Sequence, residues 1–172
     1  MTYAPVVVCD YDSDWVIMFE EAKGDILKTI GSYVAAIEHV GSTAVPGLAA
    51  KPFIDILLAP HRFPQDVEGL VDPLAQIGFE YVPKSDTNKY FFRRGEWGHG
   101  THHLHVVQIG DEEWTKVIRF RDYLRSHPEA AQRYGNLKRR LATKFGSDRP
   151  GYTSAKADFI RSVLATAEDE RG

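Results

Sequence analysis

IEHVGSTAVPGLAAKPFIDILLA, residues 37–59, reads as a strand, a Gly-Ser turn, a loop carrying Pro-Gly, and a second strand with one acid in it. That acid, Asp55, is flanked by Phe53, Ile54, Ile56, Leu57 and Leu58. An ionised carboxylate in such an apolar run needs a salt bridge, hydrogen bonds or a metal, because unassisted loss of its water is costly. A salt bridge to Lys51 or to a distant arginine satisfies the requirement as well as a functional site does. Alternation places Ile37 and His39 on one face of the first strand and Glu38 and Val40 on the other, with Phe53, Asp55 and Leu57 sharing a face of its partner. Gly41-Ser42 falls where the first strand ends. Small residues there let backbone N–H groups approach an anion closely, although any tight turn accepts Gly-Ser.

A second concentration of chemistry is THHLHVV, residues 101–107. Strand periodicity puts His103 and His105 on one face and His102 with Leu104 on the other. Two imidazoles so placed suit one metal ion or a pair of acid–base groups against a phosphate, while an edge strand with solvated rings is the plainer alternative. On the preceding strand, Lys89, Arg93 and Arg94 suit phosphate contacts or the protection of an exposed edge.

Around these strands the pattern is helical. Short strand character at Val6–Val8 precedes a helix over about 13–30, with Trp15, Met18, Phe19, Ala22, Ile26 and Ile30 at helical spacing. A further helical segment covers 64–77, with Asp72-Pro73 restarting it as cap and first position. Strands follow at 79–82, 89–94 and 101–109, the last two joined through Gly95–Gly100. Asp111 caps a third helix, Pro128 opens a fourth ending at Gly146, and a last helix spans 152–167. The fourth carries Ala131, Tyr134, Leu137 or Lys138, Leu141 and Phe145 on its apolar stripe, and Lys138-Arg139-Arg140 with Lys144 reads as a solvated face. Tyr152 and Lys156, four apart, share a helical face on which an aromatic ring and an ammonium can meet a nucleobase and a phosphate or simply pack.

The 172 residues, 43% apolar and 26% charged, describe a globular chain able to bury a core. A net charge of −3 gives no long-range attraction to nucleic acid or anionic membrane. The single cysteine, Cys9, excludes an internal disulfide and a cysteine zinc site. No segment has the length of a transmembrane helix, and MTYAPVVVCD has neither the basic start nor the apolar run of a signal peptide, so a cytoplasmic location is expected.

IEHVGSTAVPGLAAKPFIDI resembles the signature of the GrpB-like family within the nucleotidyltransferase superfamily. HHLHV, FRDYLRSHPEAAQRYGNLKRRLA and DRPGYTSAKADFI are similar to that family's later blocks, so the likeness runs from about Asp10 to Ile160. It implies an α+β fold, a mixed sheet flanked by helices, as one GrpB-like nucleotidyltransferase-fold domain over 1–172, with a core of about 5–110 and a helical portion of about 111–168. In the superfamily a Gly-Ser turn holds nucleotide phosphates, and acids on the following strands hold two divalent metals for in-line phosphoryl transfer. Gly41 and Ser42 match the turn and Asp55 the first acid, but the second acid falls on Leu57. The resemblance also implies a link to nucleotides or to dephospho-coenzyme A kinase, to which the domain is found fused.

The leading expectation is therefore a protein binding a nucleotide or phosphorylated small molecule through Gly41, Ser42, Lys51, Arg93, Tyr152 and Lys156. Asp55, His103 and His105 would be its catalytic groups, and the same three with Glu38 or His39 its ligands to magnesium or manganese. Nucleotidyl transfer is the reaction class. A single-metal hydrolase using zinc, or a non-catalytic ligand-binding or folding-accessory module with a protein partner, are the alternatives.

Overall fold

The computed structural model describes residues 4–85, 88–96 and 98–172. Trp97, within the expected Gly95–Gly100 connection, lies outside them. Helix α1 (Asp14–Ile30) buries Trp15, Phe19, Ala22, Ile26 and Ile30, a stripe recurring every three to four residues. A short 3-10 turn, Gly31–Tyr33, leads into β1 (Val34–Val40). After Gly41 a second 3-10 turn, Ser42–Ala44, starts the loop that returns the chain into β2 (Ile54–Pro60). Then come α2 (Glu68–Gln76), β3 (Glu80–Tyr81), β4 (Tyr90–Glu96) and β5 (His99–Val106), followed by α3 (Glu112–Ser126), α4 (Pro128–Phe145), α5 (Arg149–Ala155) and α6 (Ala157–Asp169).

The strands form one mixed sheet in the order β1-β2-β5-β4-β3. β2 pairs antiparallel with β1 and parallel with β5. Because paired residues point to the same side of a sheet, the register sorts the side chains into two faces. Ile56 and Leu58, level with Leu104 and Val106, pack with Ile54 and Phe92 under α1 and α2 in the main core. The opposite face carries Asp55 level with Val40 and His103, and Leu57 level with Glu38 and His105. Over this second face lie the later helices: Trp114, Val117 and Ile118 of α3 close on Val40, Leu57 and Val107.

Several local expectations change. No strand forms at Val6–Val8; this segment is tied by the Val6 N–H to the Gly146 carbonyl and by an isolated Cys9–Ala50 bridge. Val7 is 60% exposed, so the run lacks the second face that a sheet strand buries. Helix α2 runs through Pro73 rather than restarting there, although Pro73 offers no N–H to the Gly69 carbonyl. The last helix is two. Asp148 caps α5 through the Gly151 N–H, and the chain turns at Lys156 before α6. Among the described residues no helix is long and apolar enough to cross a membrane.

Candidate functional site

The site lies where β1 ends and β2 begins. Gly41 has φ of +72°, a conformation L side chains rarely adopt, and a Cβ there would stand 2.5 Å from Asp55 Oδ2. Glycine is thus what lets the turn cross directly over the carboxylate. On the other side, β5 lies parallel to β2 and delivers both histidines: His103 Nδ1 is 3.2 Å and His105 Nε2 3.7 Å from Asp55 Oδ1. Phe53 stacks on His103 at 4.5 Å between centroids, and Phe91 packs against both imidazoles. Burial pushes the Asp55 carboxyl up, but hydrogen bonds and charge from His103 and His105 outweigh it and hold the group well below the usual carboxylate range. Some 29% of the Asp55 side chain remains open to solvent, so the acid is reachable.

Facing this acid are cations from the loop and the later helices. Lys51 and Lys156 both stand over the Tyr152 ring, at 5.3 and 4.5 Å from its centroid. Lys138 stands 4.6 Å over the ring of Tyr134, whose phenol lies near Ser42. The buried stripe of α4 runs Ala131, Tyr134, Gly135, Lys138, which places an ammonium where helical periodicity calls for an apolar side chain. Gly135 faces the loop, where a Cβ would sit in ordinary contact with Leu48 and Ala49 at 3.5 and 3.6 Å. Burial, with the charges of Lys156 and Lys51, pulls Lys138 down to about 7; burial, with Lys51, pulls Lys156 to about 8. Lys51 is lowered too, again chiefly by burial, and Asp55 counteracts the shift in all three.

The structure therefore brings together Gly41, Ser42, Lys51, Asp55, His103, His105, Tyr152 and Lys156, and adds Lys138 and Tyr134, which the sequence reading did not select. Lys138 is 3% exposed and does not belong to a solvated face; only Arg139 and Arg140 of that run do. Its signal in the sequence was its place on the apolar stripe of α4. Other expected residues have different engagements. Glu38 shares the Asp55 face but is bound by Arg121 of α3, which also donates to the His39 carbonyl at 3.0 Å. His39 points to the opposite face, stacked on Phe19 with its Nε2 3.0 Å from the Thr43 hydroxyl. Burial drives its pKa down to about 4, so it is a neutral core imidazole at pH 7. Arg93 shares a face with His103 and is hydrogen-bonded to Glu80 at 2.8 Å.

A two-metal centre does not fit these donors. Bridging two ions takes more than one free carboxylate. Leu57 is sealed in an apolar cluster under α3, and Glu38 is taken by Arg121. Asp55 has one oxygen directed to imidazoles and the other set against the Gly41 turn. Among the described residues no three His, Cys, Asp or Glu side chains are placed to hold a metal ion.

Comparison with known proteins gives a match to the family described as GrpB protein over residues 5–166. A UPF0157 protein of Pseudomonas aeruginosa is 43% identical over 135 residues, 76% of this chain, which spans about half (54%) of that relative's length. The glutamate-rich protein GrpB of Alkalihalophilus pseudofirmus is 32% identical, with 92% of this chain matching 94% of that one. A dephospho-CoA kinase of Mycolicibacterium paratuberculosis is 26% identical, the match covering 96% of this chain and 47% of that protein. Among solved structures, GrpB from Enterococcus faecalis superposes with a TM-score of 0.86 at 33% identity, covering 96% and 99% of the two chains. Cid1 poly(U) polymerase, at 9% identity, superposes with a TM-score of 0.51 over 76% of this chain and 40% of its own, a likeness of fold alone.

Proposed function

The chain belongs to the GrpB family, and we propose that it uses a nucleotidyltransferase-like fold to bind a phosphate-bearing ligand, a nucleotide, in the cleft between Asp55 and the later helices. One observation carries this reading: Lys51, Lys138 and Lys156 crowd a single acid, at a Gly-Ser turn, beside an aromatic ring. Like charges gathered and half-desolvated in this way cost folding energy that an anionic ligand recovers. Ser42 and the backbone after Gly41 stand ready as phosphate donors, and the buried Tyr152 ring holds the Lys51 and Lys156 ammonium groups together.

Binding is better supported than transfer. In nucleotidyl transfer an acceptor oxygen bonds to the α-phosphorus, pyrophosphate leaves, and a neighbouring base takes the hydroxyl proton. A carboxylate held as low as Asp55 accepts a hydrogen bond well and takes a proton poorly. Its role in this reading is to balance the charge of the lysines, with His103 and His105 fixing the carboxylate.

The test is a thermal-shift panel of ATP, GTP, CTP and UTP, with zinc alone as a separate arm. A ligand at about a hundred times its Kd stabilises the fold by about 2.7 kcal/mol, enough for a clear rise in Tm. A rise with at least one nucleotide, absent in Lys156→Gln, is the expected result. A flat panel overturns the reading, and a rise with zinc alone favours the single-metal alternative.

A further inference from the structure

Two polar atoms at this site are buried without any hydrogen-bond partner: Lys138 Nζ, on a residue 3% exposed, and the Tyr152 hydroxyl, on one that is 0% exposed. Buried polar groups in folded proteins are nearly always partnered, and an unpaired ammonium is the most costly exception. Both orphans belong to the same small region, since Lys51 and Lys156 flank the Tyr152 ring and Lys138 is in electrostatic reach of both lysines and of Asp55. The acid supplies one negative charge against three ammonium groups. A fully protonated cluster therefore leaves two positive charges uncompensated, spread over several ångströms rather than at one point.

We propose that Lys51, Lys138 and Lys156, with the Tyr152 hydroxyl as a further donor, form a cage for a di- or triphosphate chain that is bound without a divalent metal. The proposal rests on the phosphate-site reading above and narrows it. A polyphosphate chain supplies three to four negative charges along its length, matching three separated ammonium groups, whereas a monophosphate reaches only part of them. In metal-assisted phosphate sites the ions neutralise the chain and carboxylates hold the ions. Here the acid position of that arrangement is Leu57, built into the apolar contact with α3, and Glu38 serves Arg121. The neutralising charge comes from lysines instead. Asp55 is their internal counter-ion, so it opposes a phosphate chain rather than recruiting one.

That sign makes the proposal decisive to test. Inorganic tripolyphosphate, pyrophosphate, orthophosphate and ATP are titrated calorimetrically into the protein, in EDTA and in magnesium. Tripolyphosphate and ATP are expected to bind in EDTA, with magnesium changing affinity less than about threefold and orthophosphate weaker by about tenfold or more. Similar affinity for tripolyphosphate and ATP identifies the chain as the recognised part, and much tighter ATP adds a nucleoside contact beside the cage. Lys138→Met, an apolar replacement of similar length, loses about tenfold or more, and Asp55→Asn binds as tightly as the wild type or more tightly. Circular dichroism and Tm confirm that both variants fold, with Lys156→Gln as a second cage variant. Binding that needs magnesium and disappears in Asp55→Asn overturns the metal-free cage while leaving a phosphate site standing. Wild-type affinity in a folded Lys138→Met variant also overturns it. Absence of binding for every probe in both conditions overturns the cage and the phosphate-site reading together.

Discussion

Lys138 is the residue at which stability and binding pull in opposite directions. Its ammonium is buried, unpartnered and depressed to about 7, so the fold carries it at a cost. Lys138→Met is therefore expected to raise stability by about 1–2 kcal/mol, measured by urea denaturation, even as it removes anion affinity. A loss of stability would mean that the ammonium has a partner in solution. His39 makes the reverse kind of statement. Its folded pKa, about 4, lies below the ordinary 6.5, so between those values the unfolded chain holds more protons. Stability is then full above pH 6.5 and declines as pH falls toward 4, by on the order of 3 kcal/mol at about 1.4 kcal/mol per unit of depression. His39→Gln should flatten that slope in a series of denaturation curves at pH 4–7. The two residues also show where reading the sequence succeeds and fails. Strand alternation alone separated His39 from Glu38 and aligned Asp55 with Leu57 and His103 with His105. Nothing in it tells whether a histidine beside a turn faces a cleft or a core. Lys138 was obscured because its neighbours Arg139 and Arg140 are solvated, and the deciding fact is which helix packs against the loop at Leu48 and Ala49.

At the scale of elements, α3 closes the part of this sheet face that carries Glu38 and Leu57. Its Arg121 reaches Glu38, the His39 carbonyl and Asp122, pinning the helix to the end of β1. Arg125 adds a hydrogen bond to the Ala44 carbonyl at 2.8 Å, beyond the turn. Arg121→Met should cost about 2 kcal/mol through lost charged hydrogen bonds, seen as a lower urea midpoint with unchanged slope. Leu57 is the other half of the same device. Leu57→Asp would place an unpaired carboxylate among Val40, Val107 and Trp114, and a loss of about 4 kcal/mol is expected. A folded Leu57→Asp variant that gains tight magnesium binding would show instead that the face still accommodates ions. The helices themselves were readable from their caps: Asp111 accepts the Trp114 N–H at 2.8 Å and Pro128 opens α4, as their positions imply. The break at Lys156 was not, because Tyr152–Ala167 keeps a helical rhythm through it and Lys156 itself lies in the right-handed helical region.

For the whole molecule, a sheet in the order β1-β2-β5-β4-β3 places a parallel pair at its middle, and Asp55 and His103 meet across it. One face forms the core with α1 and α2, and the other is divided between an apolar seal under α3 and a cluster of charged side chains contributed in part by α4 and the end of α5. The likeness to Cid1 poly(U) polymerase extends to this scaffold. The central claim is that the lysines at this cleft exist to hold phosphate. Its most direct measurement is the calorimetric Kd of the nucleotide giving the largest thermal shift, for wild type and for Lys156→Gln. Lys156 is only partly buried and its side chain makes no capping hydrogen bond to α6, so Lys156→Gln is expected to fold. A Kd at least about tenfold weaker is expected in Lys156→Gln, the loss of one charge-assisted hydrogen bond. Equal affinity in the two proteins would contradict it.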